Sequence, residues 1–190
     1  MPLVPIASVD SSALRWLRTG EKTPEYTLLA GDSPIAIVRW ARRHGARATA
    51  ETAEGSWTLG RTGFLVPRLT VRREGSEAAI AQLTNRLGHH DIEIGGGGAY
   101  RIRRAGLLLP AWKVTDRDGG ERLHIEAAAE GLRLEGGAVV TSGATPPGEL
   151  LLLAVLGWYL IVLLWIEDEA LEALVPFEGP DAARRLGAGG

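Results

Sequence analysis

The stretch "ELLLLAVLGWYLIVLLWIEDE", residues 149–169, decides the fold, because Leu150 to Ile166 are seventeen consecutive uncharged and mostly apolar residues. Such a run is either a membrane span or a helix buried on every side. A bilayer core about 30 Å thick asks for roughly 20 apolar residues, and seventeen at about 1.5 Å each reach only about 25 Å. The flanks also argue against a span. Glu149 precedes the run, Glu167, Asp168, Glu169 and Glu172 follow it, and no Lys or Arg occurs between Arg133 and Arg184 to set an orientation. Trp158 and Tyr159 sit in mid-run, away from the interfacial level that aromatic belts occupy. A core helix is the reading that fits.

The preceding chain supplies a container of the right kind. From about Tyr26 apolar residues alternate with polar ones: Ala36, Val38 and Trp40; Trp57 and Leu59; Leu69 and Val71; Ile92 and Ile94. The alternation continues through Tyr100 and Ile102, Trp112 and Val114, Leu123 and Ile125, and Leu132 and Leu134. Period two over short runs marks strands with one buried and one solvated face. Weaker runs near 26–30, 47–53, 78–84 and 138–142 bring the count to about twelve strands. Turn signals separate them at Gly31-Asp32, His44-Gly45, Glu54-Gly55, Glu74-Gly75, Gly95–Gly98, Asp118-Gly119 and Gly136-Gly137. Asp118-Gly119 is the clearest two-residue hairpin signal.

Twelve strands spaced about 4.8 Å and tilted about 40° close into a ring roughly 24 Å across. Inward side chains leave a lumen of about 10–12 Å, the diameter of one helix. The expected fold is therefore mainly β: a closed antiparallel barrel of about twelve strands around a central apolar C-terminal helix. Residues 1–25 form an N-terminal segment with a short helix in "DSSALRWLRTG", capped by Asp10 or Ser11, with Leu14 and Leu17 on one face and Gly20 ending it. Strands occupy 26–145, the helix and its extension 146–175, and a tail 176–190. Pro146 and Pro147 suit the first helical turn. The acids at 167–169 are unfavourable at a helix C-terminus. Either the helix runs on toward Pro176 with Leu171 and Leu174 docking, or these acids meet basic side chains at the barrel rim.

Chemistry is sparse. The chain has no cysteine, which excludes disulfides, thiolate catalysis, cysteine-ligated zinc and S-palmitoylation. His89 and His90 are adjacent and fall on opposite faces of a strand, poor geometry for shared metal ligation. "GGGGAY" lacks GxGxxG and GK[ST] and leads into a strand, so it is a turn. No GxSxG is present. No enzyme activity, cofactor or metal is expected.

The net charge of −2 conceals an asymmetry: residues 1–38, 39–104 and 105–190 carry −1, +6 and −7. Two halves that neutralise each other on folding would account for this, and so would a basic partner-binding face. The candidate anion- or lipid-binding residues are Arg42, Arg43, Arg72, Arg73, Arg101, Arg103 and Arg104. Arg101 and Arg103 share a strand face and could clamp a phosphate-like anion, since guanidinium binds such groups bidentately. Nucleic acid is not expected, because the aromatics lie on the apolar face rather than among the arginines.

The order of elements, with "GFLVPRLTVRREG", "GAYRIRRAGLLLPAWKVTDRDGGERLHIE" and "PPGELLLLAVLGWYLIVLLW" as its landmarks, resembles the tubby-like superfamily over residues 26–166. That superfamily includes the tubby C-terminal domain, the phospholipid scramblases and the LURP-one-related proteins. The resemblance implies a twelve-stranded barrel around a helix and work at membranes, through phosphoinositide binding in tubby domains. Departures are the missing cysteines, the absence of an EF-hand-like acidic run, with Asp116 and Asp118 in "TDRDGG" read as a hairpin turn, and no alignable lysine cluster. Three functional readings follow: a cytoplasmic or membrane-peripheral protein binding an anionic membrane surface or a protein partner; an assembly protein using its acidic tail or barrel rim; and a tail-anchored membrane protein.

Overall fold

The computed structural model describes residues 2–43, 45–62, 68–105, 111–130, 133–141 and 145–174, with backbone alone at 129, 130, 133 and 168–174. The tail 176–190, and the side chains of Leu171 and Leu174, lie outside the described residues. Twelve strands form a closed barrel of antiparallel neighbours. They are β1 (Ala13–Arg18), β2 (Glu25–Ala30), β3 (Ser33–Trp40), β4 (Ala48–Thr52), β5 (Gly55–Thr62) and β6 (Arg68–Arg73), followed by β7 (Ala79–Arg86), β8 (His89–Ile94), β9 (Ala99–Ala105), β10 (Ala111–Asp116), β11 (Glu121–Glu130) and β12 (Arg133–Val140). Each pairs with its sequence neighbours, and β1 against β12 closes the ring.

The N-terminal helix expectation is overturned: 13–18 is a strand, in which Leu14 and Trp16 point inward and are buried. Within six residues, Leu14 and Leu17 fit a helical face as well as Leu14 and Trp16 fit a strand face. Pairing to β2 and β12 on both sides decides the matter, a case of tertiary context overriding local pattern. A second correction offsets the first in the strand count. The two runs read at 132–135 and 138–142 share one strand over the described residues 133–140, β12, and Gly136-Gly137 lies inside it instead of forming a turn. A Cβ on Gly136 would stand 2.3 Å from the Glu126 carbonyl and 2.6 Å from the Trp158 ring. The glycine therefore marks a close approach within a strand.

What approaches is the helix, α1 (Pro147–Leu174). Residues 150–163 are buried without interruption, so no polar stripe is needed. Trp158 stacks on Trp16, ring centres 5.3 Å apart and 7° from parallel, and Trp16 is the cross-strand partner of Gly136. Trp158 also meets Tyr26 edge-on at 5.4 Å, while Tyr159 stacks on Trp40 at 5.6 Å. On the other side of the helix, Gly157 faces Ile125 and Ile102. The mid-run aromatics are thus packing partners of β1–β3. By length and hydropathy Pro147–Glu167 could cross a membrane, yet 83% of that window is buried inside the barrel.

The two ends of the barrel differ. The helix enters at the end formed by connections 31–32, 53–54, 74–78, 95–98 and 117–120, where the single turn Ile6–Ser8 also touches it. It leaves at the opposite end, beyond Ile166, and runs on to Leu174. Both expectations for the acids at 167–169 hold in part: the helix continues, and Glu167 meets Arg61 at the rim at 2.7 Å. Described connections at the entry end carry Asp32, Glu54, Glu74, Glu77 and Asp118 against Arg117 alone. Those at the exit end, 19–24, 41–43 with 45–47, and 87–88, carry Lys22, Arg42, Arg43 and Arg47 against Glu21. Charge in the described connections is thus sorted along the barrel axis, while the helix extension carries Glu167, Asp168, Glu169 and Glu172 out at the end with the basic connections.

Candidate anion site

The outer wall is where ligand chemistry can sit, since the lumen is filled. In β5, Trp57 and Leu59 point inward and are buried, so Thr58, Gly60 and Thr62 face outward. In β6, Leu69 and Val71 point inward, leaving Arg68, Thr70 and Arg72 outside. Register places Gly60 opposite Thr70 and Thr58 opposite Arg72. On the other flank, Ala48 pairs with Leu59, which brings Arg47 beside Gly60.

Where neighbouring positions carry hydroxyls and guanidiniums, Gly60 carries nothing, and the wall dips. The depression is about 450 Å³, and its charged lining residues are Arg47, Arg61 and Arg72, with Thr58, Thr62 and Thr70 supplying hydroxyls. Among the described residues no carboxylate lines it. The Thr70 hydroxyl donates to the Gly60 carbonyl at 3.4 Å, which fixes the floor. Arg72 Nε is buried without a hydrogen-bond partner among the described residues. The outward arginines Arg47 and Arg72, with hydroxyls between them and Arg61 at the rim beside them, form a donor set that matches a phosphate-like anion.

The other expected arginines lie elsewhere. Arg42 and Arg43 are exposed in the β3–β4 connection at the exit end. Arg73 has the inward register of β6 and sits at the entry end with Glu54 and Glu149. Arg101 and Arg103 do share the outer face of β9, as alternation requires. Arg101, however, is tied to Asp91 at 3.4 Å, and Arg103 is paired across strands with Lys113. Arg104 shares register with Ile102 and points to the lumen side, where the end of β9 leaves it exposed. Between β6 and β9 lie two strands, roughly 14 Å in all, so the seven do not converge. Only Arg72 is part of the depression; Arg47, Gly60 and Arg61 are its additional members.

A second dip of about 320 Å³ between β8 and β10 is lined by Asp91, Glu93 and Asp116 as well as Arg101 and Arg117. Of its two cations, Arg101 is already answered by Asp91. Asp91 contacts Arg86 at 3.2 Å, His89 at 3.3 Å and Arg101 at 3.4 Å. Partial burial alone would raise its pKa, but hydrogen bonds from Arg86 and Arg101 outweigh that and hold it below the usual carboxylate range.

The two histidines divide as expected. His89 faces out toward Asp91, and His90 faces in, 6.4 Å from Trp112. Burial and the neighbouring His89 hold His90 below its ordinary pKa. No cluster of three metal-ligating side chains occurs among the described residues. Asp116 accepts the backbone N–H groups of Asp118 at 3.0 Å and Gly120 at 2.8 Å, so "TDRDGG" is a turn. It is a four-residue connection, 117–120, rather than a two-residue one. No family model matches the chain, and no curated protein or solved structure matches it either.

Proposed function

We propose that this chain is a non-enzymatic binding protein whose barrel wall takes a phosphate-bearing anion in the depression over Gly60. The carrying observation is that Arg47, Arg61 and Arg72 surround this dip and that, among the described residues, no carboxylate lines it. In the proposal, Arg47 and Arg72 supply paired guanidinium donors and Thr58 and Thr70 lie within the same wall. The basic connections of the exit end add longer-range attraction for an anionic surface. This is in keeping with the membrane-surface role that the tubby-like resemblance implies, with the protein acting at the cytoplasmic side of a membrane.

Two probes test the proposal and separate its possible sources of phosphate. Inorganic phosphate titrated at low salt should shift the amide resonances of Thr58, Gly60 and Thr70. Vesicles of phosphatidylcholine with phosphatidylserine should pellet the protein, and pure phosphatidylcholine vesicles should not. Arg47→Glu with Arg72→Glu should weaken both responses roughly tenfold or more. A response to phosphate alone assigns a free anion, and a response to both assigns a headgroup. Equal pelleting with neutral and anionic vesicles, together with no response to phosphate, would sink the proposal.

Protein–protein assembly is favoured by a different observation, the axial sorting of charge. The acidic connections of the entry end and the basic connections of the exit end suit head-to-tail contact between copies. A monomer at every concentration in low salt by light scattering would count against it.

A further inference from the structure

We infer that the anion depression carries its own counter-ion, Glu167, and that an incoming ligand competes with it for Arg61. The inference rests on the anion reading above. Arg61 follows Trp57 and Leu59 in the inward register of β5, so at the rim its guanidinium meets the helix as the helix leaves the barrel. Glu167 Oε1 lies 2.7 Å from Arg61 Nη2, and the same Arg61 lines the depression. One guanidinium therefore has two anions to choose between.

The helix grips the other flank too. The Tyr159 hydroxyl donates to the carbonyl of Ala46, the residue before Arg47. Burial pushes the Tyr159 pKa up, so the hydroxyl keeps its proton as a donor. Arg47 and Arg72, in contrast, have no carboxylate within 4 Å among the described residues. The depression thus offers two uncommitted cations and one held in reserve. A dianion, such as a phosphate monoester, gains from drawing Arg61 away from Glu167, whereas a monoanion is served by the first two. Asp168, Glu169 and Glu172 follow on the same protruding segment of the chain.

Both partners of the ion pair are about two-fifths exposed, at 43% and 42%, so the competition is modest in size. The test is a titration with inorganic phosphate at low salt, followed through the Thr58 and Gly60 amides. Glu167→Gln should bind phosphate about two- to fivefold more tightly than the unmodified chain. Arg61→Gln and the double variant Arg61→Gln/Glu167→Gln should bind equally, because the gain runs through Arg61. An unchanged affinity in Glu167→Gln would overturn the inference while leaving the anion site standing. A gain that persists without Arg61 would overturn it as well, since it would report only the loss of one negative charge. If no chain, altered or not, responds to phosphate, the anion reading itself falls.

Discussion

The inner and outer surfaces of this barrel wall are built from the same strands by opposite rules. Inside, each residue is specified by shape: Trp158 lies over Gly136 and against Trp16, and Gly157 lies against Ile125. Outside, the side chains are mostly polar and their meaning depends on what faces them across the ladder. Arg39 reaches Glu25 at 2.6 Å and Glu51 at 2.5 Å. Lys113 reaches Glu121 at 2.7 Å, and Arg101 reaches Asp91. On β5 and β6 the outward neighbours are threonines, a glycine and arginines, so the positive charge stays available. Identical residue types meet acids on one arc and, among the described residues, meet none on another. The lumen should therefore respond to volume, and the wall to charge pairing.

The largest effect belongs to the lumen. Gly157→Arg forces a guanidinium into a helix face buried on all sides, where a Cβ alone would come within 2.6 Å of Ile125 Cδ1. An unpaired buried charge is not sustainable there, so the variant should yield insoluble protein. A soluble, cooperatively unfolding Gly157→Arg would break the description of the helix as fully enclosed. Gly136→Ala comes next. Its new methyl meets a backbone carbonyl and an indole ring that is itself stacked, neither free to yield, and a loss of about 2–4 kcal/mol is expected in urea denaturation. Gly157→Ala sharpens the point. It meets only the tip of a side chain, and alanine gains about 1 kcal/mol in helix propensity, so its stability should stay within about 1 kcal/mol of the parent.

These contrasts also explain what could be read from the chain directly. The apolar helix and most of the strands were legible because period-two alternation and an unbroken apolar run are local signals. The failures are nonlocal. Leu14-Arg15-Trp16-Leu17 satisfies two periods at once, and its partners, at 26–30 and 136–139, decide between them. Gly136-Gly137 looks like a turn until Trp158, twenty-two positions on, is seen to need the space. The arginines were visible as residues, but register decides which of them meet acids. Asp91 opposite Arg101 and Thr70 opposite Gly60 are facts of pairing, not of spacing. One clue to the depression was available in "SWTLGRT", where a glycine interrupts outward threonines at 58 and 62.

A smaller effect probes the polar cluster where the helix enters the barrel. Tyr100 donates its hydroxyl proton to Glu149 at 2.5 Å. Burial first, then that hydrogen bond and the charge of Glu149, push the phenol up to about 12 from 10.0. A raised folded-state pKa stabilises the fold fully below the unfolded value, and the contribution fades as pH rises from about 10 to about 12. Tyr100→Phe should cost about 1 kcal/mol at neutral pH and flatten the alkaline limb of stability against pH. An ultraviolet titration in which Tyr100 ionises in the ordinary range would remove the basis for this expectation.

The smallest effect returns to the outer wall and is the sharpest test of its division into arcs. Arg101→Glu with Arg103→Glu reverses as much formal charge as Arg47→Glu with Arg72→Glu. If availability and not net charge governs binding, the β9 pair should change phosphate affinity by less than about twofold, through long-range field alone. Arg101 already faces Asp91, so its reversal removes an ion pair rather than a free donor. Nearly equal losses from the two double variants would mean that the barrel attracts anions through its overall field, and the distinction between its two arcs would not survive.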